Sequence, residues 1–294
     1  MRRLILVAAC AGALAPAATA SQLVDRNASR VSLAVNGSGE ALLTYQTGGR
    51  LKHVLAWGGI NAIAPSRMRK QRHFWLDYAG GYGKYGRAYW RGFRNRCGPY
   101  SGPPVAHLVV ACTAPDGTHW ALQAWQRALP NHGRLPSSWQ QASWELRLSH
   151  WTALAVLTVK TDWSRRRYDH LYGSLRYRGR PVYGFRTTSD GRPLDRFGRL
   201  IYVDTFNSRH GPGWRRDNSF VTHRPRGIFC YAFLPRNGYP RGKGTRYRVT
   251  AVGPGVTPDL MWQGSAPGPY DAERDRRANA EQRARYSDRL CQPT

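Results

Sequence analysis

The chain has 294 residues and carries 45 Lys and Arg against 17 Asp and Glu, a formal net charge of +28. That length accommodates one large or two modest domains, each with a core of its own. Past the first twenty residues no apolar run approaches the ~20 residues of a membrane helix, so no membrane anchor is expected. The positive field points toward polyanionic partners.

Arg2 and Arg3 open the chain, and Leu4 to Leu14 is nearly unbroken apolar sequence. Pro16 ends the run, and Ala18-Thr19-Ala20 puts small residues where a signal peptidase reads them. These parts in this order form a secretory signal peptide over 1–20, cleaved after Ala20. Val7-Ala8-Ala9-Cys10 resembles a lipoprotein cut site, but a cut there would follow barely one turn of apolar sequence. The mature chain is therefore expected outside the cytoplasm, secreted or associated with a bacterial cell envelope. Its charge would be +26, because Arg2 and Arg3 leave the total of +28.

Removal of Cys10 leaves Cys97, Cys112, Cys230 and Cys291. An even set in an exported chain implies disulfides. Of the three possible pairings we expect the local one, Cys97–Cys112 with Cys230–Cys291. No cysteine pair has zinc-ribbon spacing, so neither a metal nor a cofactor is expected.

Strand signals follow one another down the chain. Val31–Val35 and Ala41–Gln46 flank the turn Asn36-Gly37-Ser38-Gly39, a hairpin signature. Leu51–Trp57, His73–Tyr78, Val105–Thr113 and His119–Gln126 read the same way, and Pro115-Asp116-Gly117 joins the last two. Trp144–Leu148 alternates, while the apolar run Leu154–Lys160 predicts a strand buried on both faces. Leu171–Tyr177, Val182–Thr187, Leu200–Phe206, Ile228–Leu234 and Tyr247–Val252 complete the set. The fold class is therefore mainly β, an antiparallel sandwich-like body forming either one extended sandwich or two sandwich-like halves. The expected divisions are an N-terminal half over 21–135, a C-terminal half over 136–257, a Pro-rich linker over 258–269, and a helix and tail over 270–294. The helix, from Tyr270 to about Ser287, has only a thin apolar stripe (Ala278, Ala284, Leu290) and is expected on the surface.

From Arg50 to Arg96 there are eleven Lys and Arg and one acid, Asp77. Within this stretch Tyr82, Tyr85, Tyr89 and Trp90 interleave with Arg87, Arg91 and Arg94. Rings stack on sugars or bases, and guanidinium groups pair with phosphates and carboxylates. These seven residues are the predicted binding platform. The alternative is a Gly-rich loop whose aromatics pack back on a sheet.

The densest run of reactive-capable side chains is Asp204 to His223. His210 or His223 would serve as a base, oriented by Asp204 or Asp217, on a Gly-Pro-Gly loop after a strand. The same residue types also satisfy turns. Asp190 and Asp195 bracket what reads as a hairpin turn, without the ligand density of a calcium loop. The chain lacks a Gly-x-Ser-x-Gly elbow, a Walker-type phosphate loop and His-Glu-x-x-His. Glu40 and Glu145, the only glutamates of the body, sit on ordinary strand positions.

The expectation is thus an exported, disulfide-stabilised, strongly basic β protein. It would bind anionic or carbohydrate envelope material without catalysis, with an anionic polysaccharide or a teichoic acid as partner. Nucleic acid qualifies only if extracellular, and the sequence sets no oligomeric state. The rival expectation is a secreted hydrolase built on Asp204, His210, Asp217 or His223.

Overall fold

A computed structural model describes residues 21–131, 139, 142–164, 168–182, 186–187, 193–194, 201–208, 210–217, 221–223, 228–232 and 244–285. The expected signal peptide, Cys291, Asp190, Asp195 and the side chain of His223 lie outside them, as does the expected division at 135/136.

The N-terminal part contains β1 (Gln22–Arg26), β2 (Ser29–Val35), β3 (Ala41–Thr47), β4 (Arg50–Gly58) and β5 (Phe74–Asp77). A short helix α1 (Tyr82–Tyr85) and a 3-10 turn (Tyr89–Gly92) precede β6 (Gly98–Pro99), β7 (Leu108–Thr113), β8 (His119–Trp125) and β9 (Glu145–Trp151). The later strands are β10 (Val156–Ser164), β11 (Tyr168–Tyr177), β12 (Arg180–Pro181), β13 (Arg186–Thr187), β14 (Pro193–Leu194), β15 (Ile201–Ser208), β16 (Gly211–Asp217), β17 (Val221–His223), β18 (Ile228–Ala232), β19 (Arg246–Ala251) and β20 (Leu260–Ser265), before helix α2 (Ala272–Arg285).

The fold is mainly β, as expected. Sheet I has the order β2-β3-β4-β5 and sheet II the order β1-β9-β8-β7-β6. Their facing surfaces share one core of Leu43, Tyr45, Val54, Phe74, Trp120, Leu122 and Leu148. The alternation of β3 (Ala41, Leu43, Tyr45 in) and β8 (Trp120, Leu122 in) is the period-two pattern that builds a sandwich face. Each large buried side chain contributes about 1.5–3 kcal/mol. Sheet III runs β16-β15-β19-β20 and sheet IV β10-β11-β18-β17, with β12 beside β11. These two enclose a second core of Leu171, Leu175, Phe229, Val203, Tyr247 and Val249.

Several boundaries differ from the sequence expectation. Strand β9 lies beyond the expected division at 135/136, yet it pairs with β1 and β8 in the first sandwich. Pro and Gly punctuate strands as readily as domains, and neither names a strand's partner. The segment 258–269, expected as a linker, carries β20, paired with β19 from Arg246↔Ser265 to Ala251↔Leu260. Its flanking prolines stand outside the strand, where no ladder donor is needed. Strand β10 is not buried on both faces: Val156, Thr158 and Lys160 are exposed and Val159 is buried.

Cys97 and Cys112 form a disulfide, with Cα atoms 5.7 Å apart. Cys230 is disulfide-bonded as well. Helix α2 begins at Asp271, whose carboxylate accepts from the N–H groups of Glu273 (2.9 Å) and Arg274 (2.8 Å) as an N-cap. The helix lies on β10, with Lys160 Nζ 2.5 Å from Glu281 Oε1 and Ala278 buried. No described helix is long and apolar enough to cross a membrane.

Between the sandwiches runs a seam. Trp125 of β8, Tyr202 of β15 and Val252 form its apolar part. Residues 251–260 cross it fully buried. His150 N–H donates to the Val256 carbonyl (2.9 Å), and the Gln123 amide exchanges hydrogen bonds with the Asp259 backbone (both 2.9 Å).

Candidate binding groove

The predicted platform of 78–100 is a cover on sheet I. Trp90 stacks flat on His53, with centroids 4.0 Å apart. A Cβ on Gly80 would meet the Trp90 ring at 2.6 Å, and one on Gly81 would meet Tyr89 at 2.5 Å, so only glycine lets the segment fold back this closely. Tyr85 stacks on Tyr89 at 4.2 Å and donates its hydroxyl to Glu40. Lys84 reaches the same carboxylate at 2.6 Å and lies over the Trp57 ring at 4.4 Å. Burial would raise the Glu40 carboxyl, but hydrogen bonds from Lys84, Tyr85 and Asn36 outweigh it and hold the group below the usual carboxylate range. The back-packing alternative therefore describes Tyr85, Tyr89 and Trp90. Tyr82, Arg87, Arg91 and Arg94 remain exposed, Arg87 over Tyr89 and Arg91 over Trp90.

The structure places Asp204 apart from Asp217 and brings His210 beside Asp217. Asp204 pairs across β15 with Arg216 and Arg248, on the sheet III face that turns away from the second core. Its carboxylate is fully buried and accepts from Arg216 Nε (3.0 Å), Arg248 Nε (2.9 Å) and Arg248 Nη2 (2.8 Å). It anchors two guanidinium groups and is fully buried, away from any open cleft. Asp217 shares the opposite face with Val203. His210 Nε2 lies 3.5 Å from Asp217 Oδ1, and burial together with the Arg215 charge lowers the imidazole. The expected Gly-Pro-Gly loop is the start of β16, bulged opposite Phe206–Ser208, where Gly213 N–H donates to Asn207 Oδ1 (2.8 Å).

Where Asp204 organises its face, a cavity of about 410 Å³ opens between the sandwiches. The first sandwich and its following segment contribute His107, Trp125, Gln126, Leu129, Pro130 and Trp144. The second contributes Pro212, Gly213, Trp214, Arg215, Arg248 and Gln263. Trp125 is a buried wall and Trp144 an exposed rim. Beside the groove, rings and guanidiniums alternate: Arg246 lies over Phe206 (4.3 Å) and Trp214 (5.7 Å), and Arg248 over Trp214 (4.5 Å). Arg216 covers Tyr202 at 3.7 Å. His107 is held below its ordinary value by burial and by Arg248, against the opposing charge of Asp259. The groove thus offers flat apolar faces, amide donors and acceptors, and positive charge.

Behind Trp125 lies a buried ionic cluster. The indole N–H donates to Asp259 Oδ2 (3.1 Å), and Ser21 Oγ donates to Asp259 Oδ1 (3.0 Å). Arg147 donates twice to Glu145 (2.9 and 2.7 Å) and once to the Ser21 carbonyl (2.7 Å). Arg127 lies 3.9 Å from both Glu145 and Asp259. Burial lowers Arg147, and the neighbouring Arg127 adds to that.

Sequence reasoning missed the groove because its two walls come from strands far apart in sequence. Its readable signals were Trp125, Trp144 and Trp214, each visible only as a residue of its own segment. Among the described residues no group of three His, Cys, Asp or Glu side chains is gathered as for a metal ion. No family model, curated protein or solved structure matches the chain.

Proposed function

We propose that this is an exported, non-catalytic binding protein whose ligand is an anionic carbohydrate of the cell envelope, held in the groove between the two sandwiches. One observation carries the reading: Trp125, Trp144 and Trp214 line one groove with Arg248, Gln126 and Gln263. Tryptophan faces suit the apolar faces of sugar rings, amides suit hydroxyls, and a guanidinium suits a carboxylate or phosphate. The mature charge of +26, left when Arg2 and Arg3 leave the total of +28, would speed arrival of any polyanion at this site. Acidic polysaccharides and teichoic acids have this chemistry. The exposed Arg87, Arg91 and Arg94 serve as a peripheral attractive field in this reading.

The test is an array of acidic and neutral envelope glycans probed with the mature protein, followed by titration calorimetry on any hit. We expect selective binding of acidic glycans, weakened by salt and by Trp214→Ala. Equal binding by wild type and Trp214→Ala would remove the groove from the account. The hydrolase reading keeps one supporting contact, His210 to Asp217 at 3.5 Å. Mass analysis of the bound glycan after long incubation separates the two, since cleavage abolished by Asp217→Asn would favour the enzyme.

A further inference from the structure

Ser21 is the residue that the expected cleavage would place first, and it is fully buried. Its side chain donates to Asp259 and its carbonyl accepts from Arg147. Directly after it, β1 pairs with β9 from Gln22↔Leu148 onward, which fixes the start of the chain in sheet II. Asp259 belongs to the segment that crosses the seam to β20. At hydrogen-bond distance its carboxylate has only neutral donors among the described residues, Ser21 Oγ and Trp125 Nε1; the Arg127 Nε lies at 3.9 Å. Glu145, by contrast, is held by a two-pronged Arg147. A buried carboxylate without a hydrogen-bonded cation is costly, and the Ser21 nitrogen belongs to the residue already touching it.

We propose that cleavage after Ala20 turns Ser21 into a buried α-ammonium that pairs with Asp259, so that export processing fastens the two sandwiches to each other. This rests on the export reading above. Hydrolysis breaks the Ala20–Ser21 peptide bond: water adds its hydroxyl to the Ala20 carbonyl carbon and a proton to the Ser21 nitrogen. The new amine takes a further proton from solvent at neutral pH. A bond beside a fully buried residue is beyond reach of a protease in the folded chain, so cleavage comes first and burial of the ammonium accompanies folding. Before cleavage the same nitrogen is an uncharged amide, and Asp259 has no cation nearer than Arg127 at 3.9 Å among the described residues.

The processing step is tested by the intact mass of the exported protein. A chain beginning at Ser21 is expected, and any other first residue overturns the proposal. The latch is tested separately on three forms of 21–294: a free Ser21 amine, an N-acetylated Ser21, and a form retaining Thr19-Ala20. The free amine should melt at least about 3 °C higher than the other two. The gap should close in Asp259→Asn and shrink between pH 7 and 9 as the ammonium loses its proton. The other ionisable groups facing the pair are Arg127, Arg147, Glu145 and His107, with Tyr202 beyond Arg127. Arginines and carboxylates ordinarily titrate outside that range, and burial with Arg248 moves His107 away from it, downward. Equal melting of all three forms, or a gap that survives in Asp259→Asn, overturns the latch.

Discussion

Two regions of this molecule are rich in arginine and aromatic rings, and they use them in opposite ways. In 78–100 three rings pack back on the molecule while Tyr82 stays exposed: Trp90 lies on His53, and Tyr85 stacks on Tyr89 and donates to Glu40. That spends the aromatic surface on covering sheet I and leaves the arginines in water. On sheet III the arginines are the buried partners, pinned to Asp204, and Trp214 is left lining open space. Composition does not distinguish a cover from a binding wall; what distinguishes them is which group satisfies the carboxylate. A carboxylate held by a lysine and a tyrosine hydroxyl draws a loop down onto its sheet. A carboxylate held by two cross-strand arginines sets a flat charged face beside a ring.

The contrast can be broken at its strongest point first. Asp204→Ala should destabilise the protein by about 3–5 kcal/mol, because Arg216 and Arg248 would stay buried without their counter-charge. Urea unfolding measures this, and a loss below about 1 kcal/mol would mean that the rung is not the organiser of its face. Next in size is a pH effect on the first sandwich. His150 is pushed down to about 4 by burial; it stacks on Trp120 at 3.8 Å and shares a hydrogen bond with Thr118 Oγ1 (2.9 Å). The unfolded imidazole takes a proton below about 6.5 while the folded one does not, so stability falls as pH drops from there toward 4. We expect up to about 3 kcal/mol over that window, with the slope flattened in His150→Gln. Unfolding curves that coincide at pH 7.5 and 4.5 would contradict it.

Third, Trp214→Ala should weaken ligand binding by about 10- to 100-fold, in line with about 1–3 kcal/mol for a lost ring stack. Trp90→Ala should leave affinity within about twofold and instead lower stability by about 1–3 kcal/mol. The reverse pattern would restore 78–100 as the site. Smaller again, Glu40→Gln should cost about 1 kcal/mol by loosening Lys84 and Tyr85, read as faster amide exchange in 82–93. Smallest, Arg91→Ala should change stability by less than about 0.5 kcal/mol. Its effect on ligand association should be confined to low salt.

Much of the strand content was legible, because period-two alternation in Ala41–Thr47 or His119–Trp125 is a local property. Sheet membership was not, since β9 pairs with β1 over a hundred residues away. Among the strands not read from the sequence are some where Gly and Pro dominate: β16 opens on Gly-Pro-Gly, and β20 stands among prolines. The site failed for a related reason. Asp204 read as the orienting partner of a histidine base because its two arginines, 12 and 44 residues distant, become its neighbours only through strand pairing. The disulfide between Cys97 and Cys112 was legible because a chain with few cysteines leaves few pairings.

Trp125 touches both ends of this account. Its indole N–H is on Asp259, while the ring lines the groove. A fluorine atom carried on that one ring would therefore have a magnetic resonance frequency sensitive to two events at once. Trimming at the start of the chain would shift it from one side and ligand arrival from the other. A single spectroscopic line would report whether maturation and occupancy are independent or coupled.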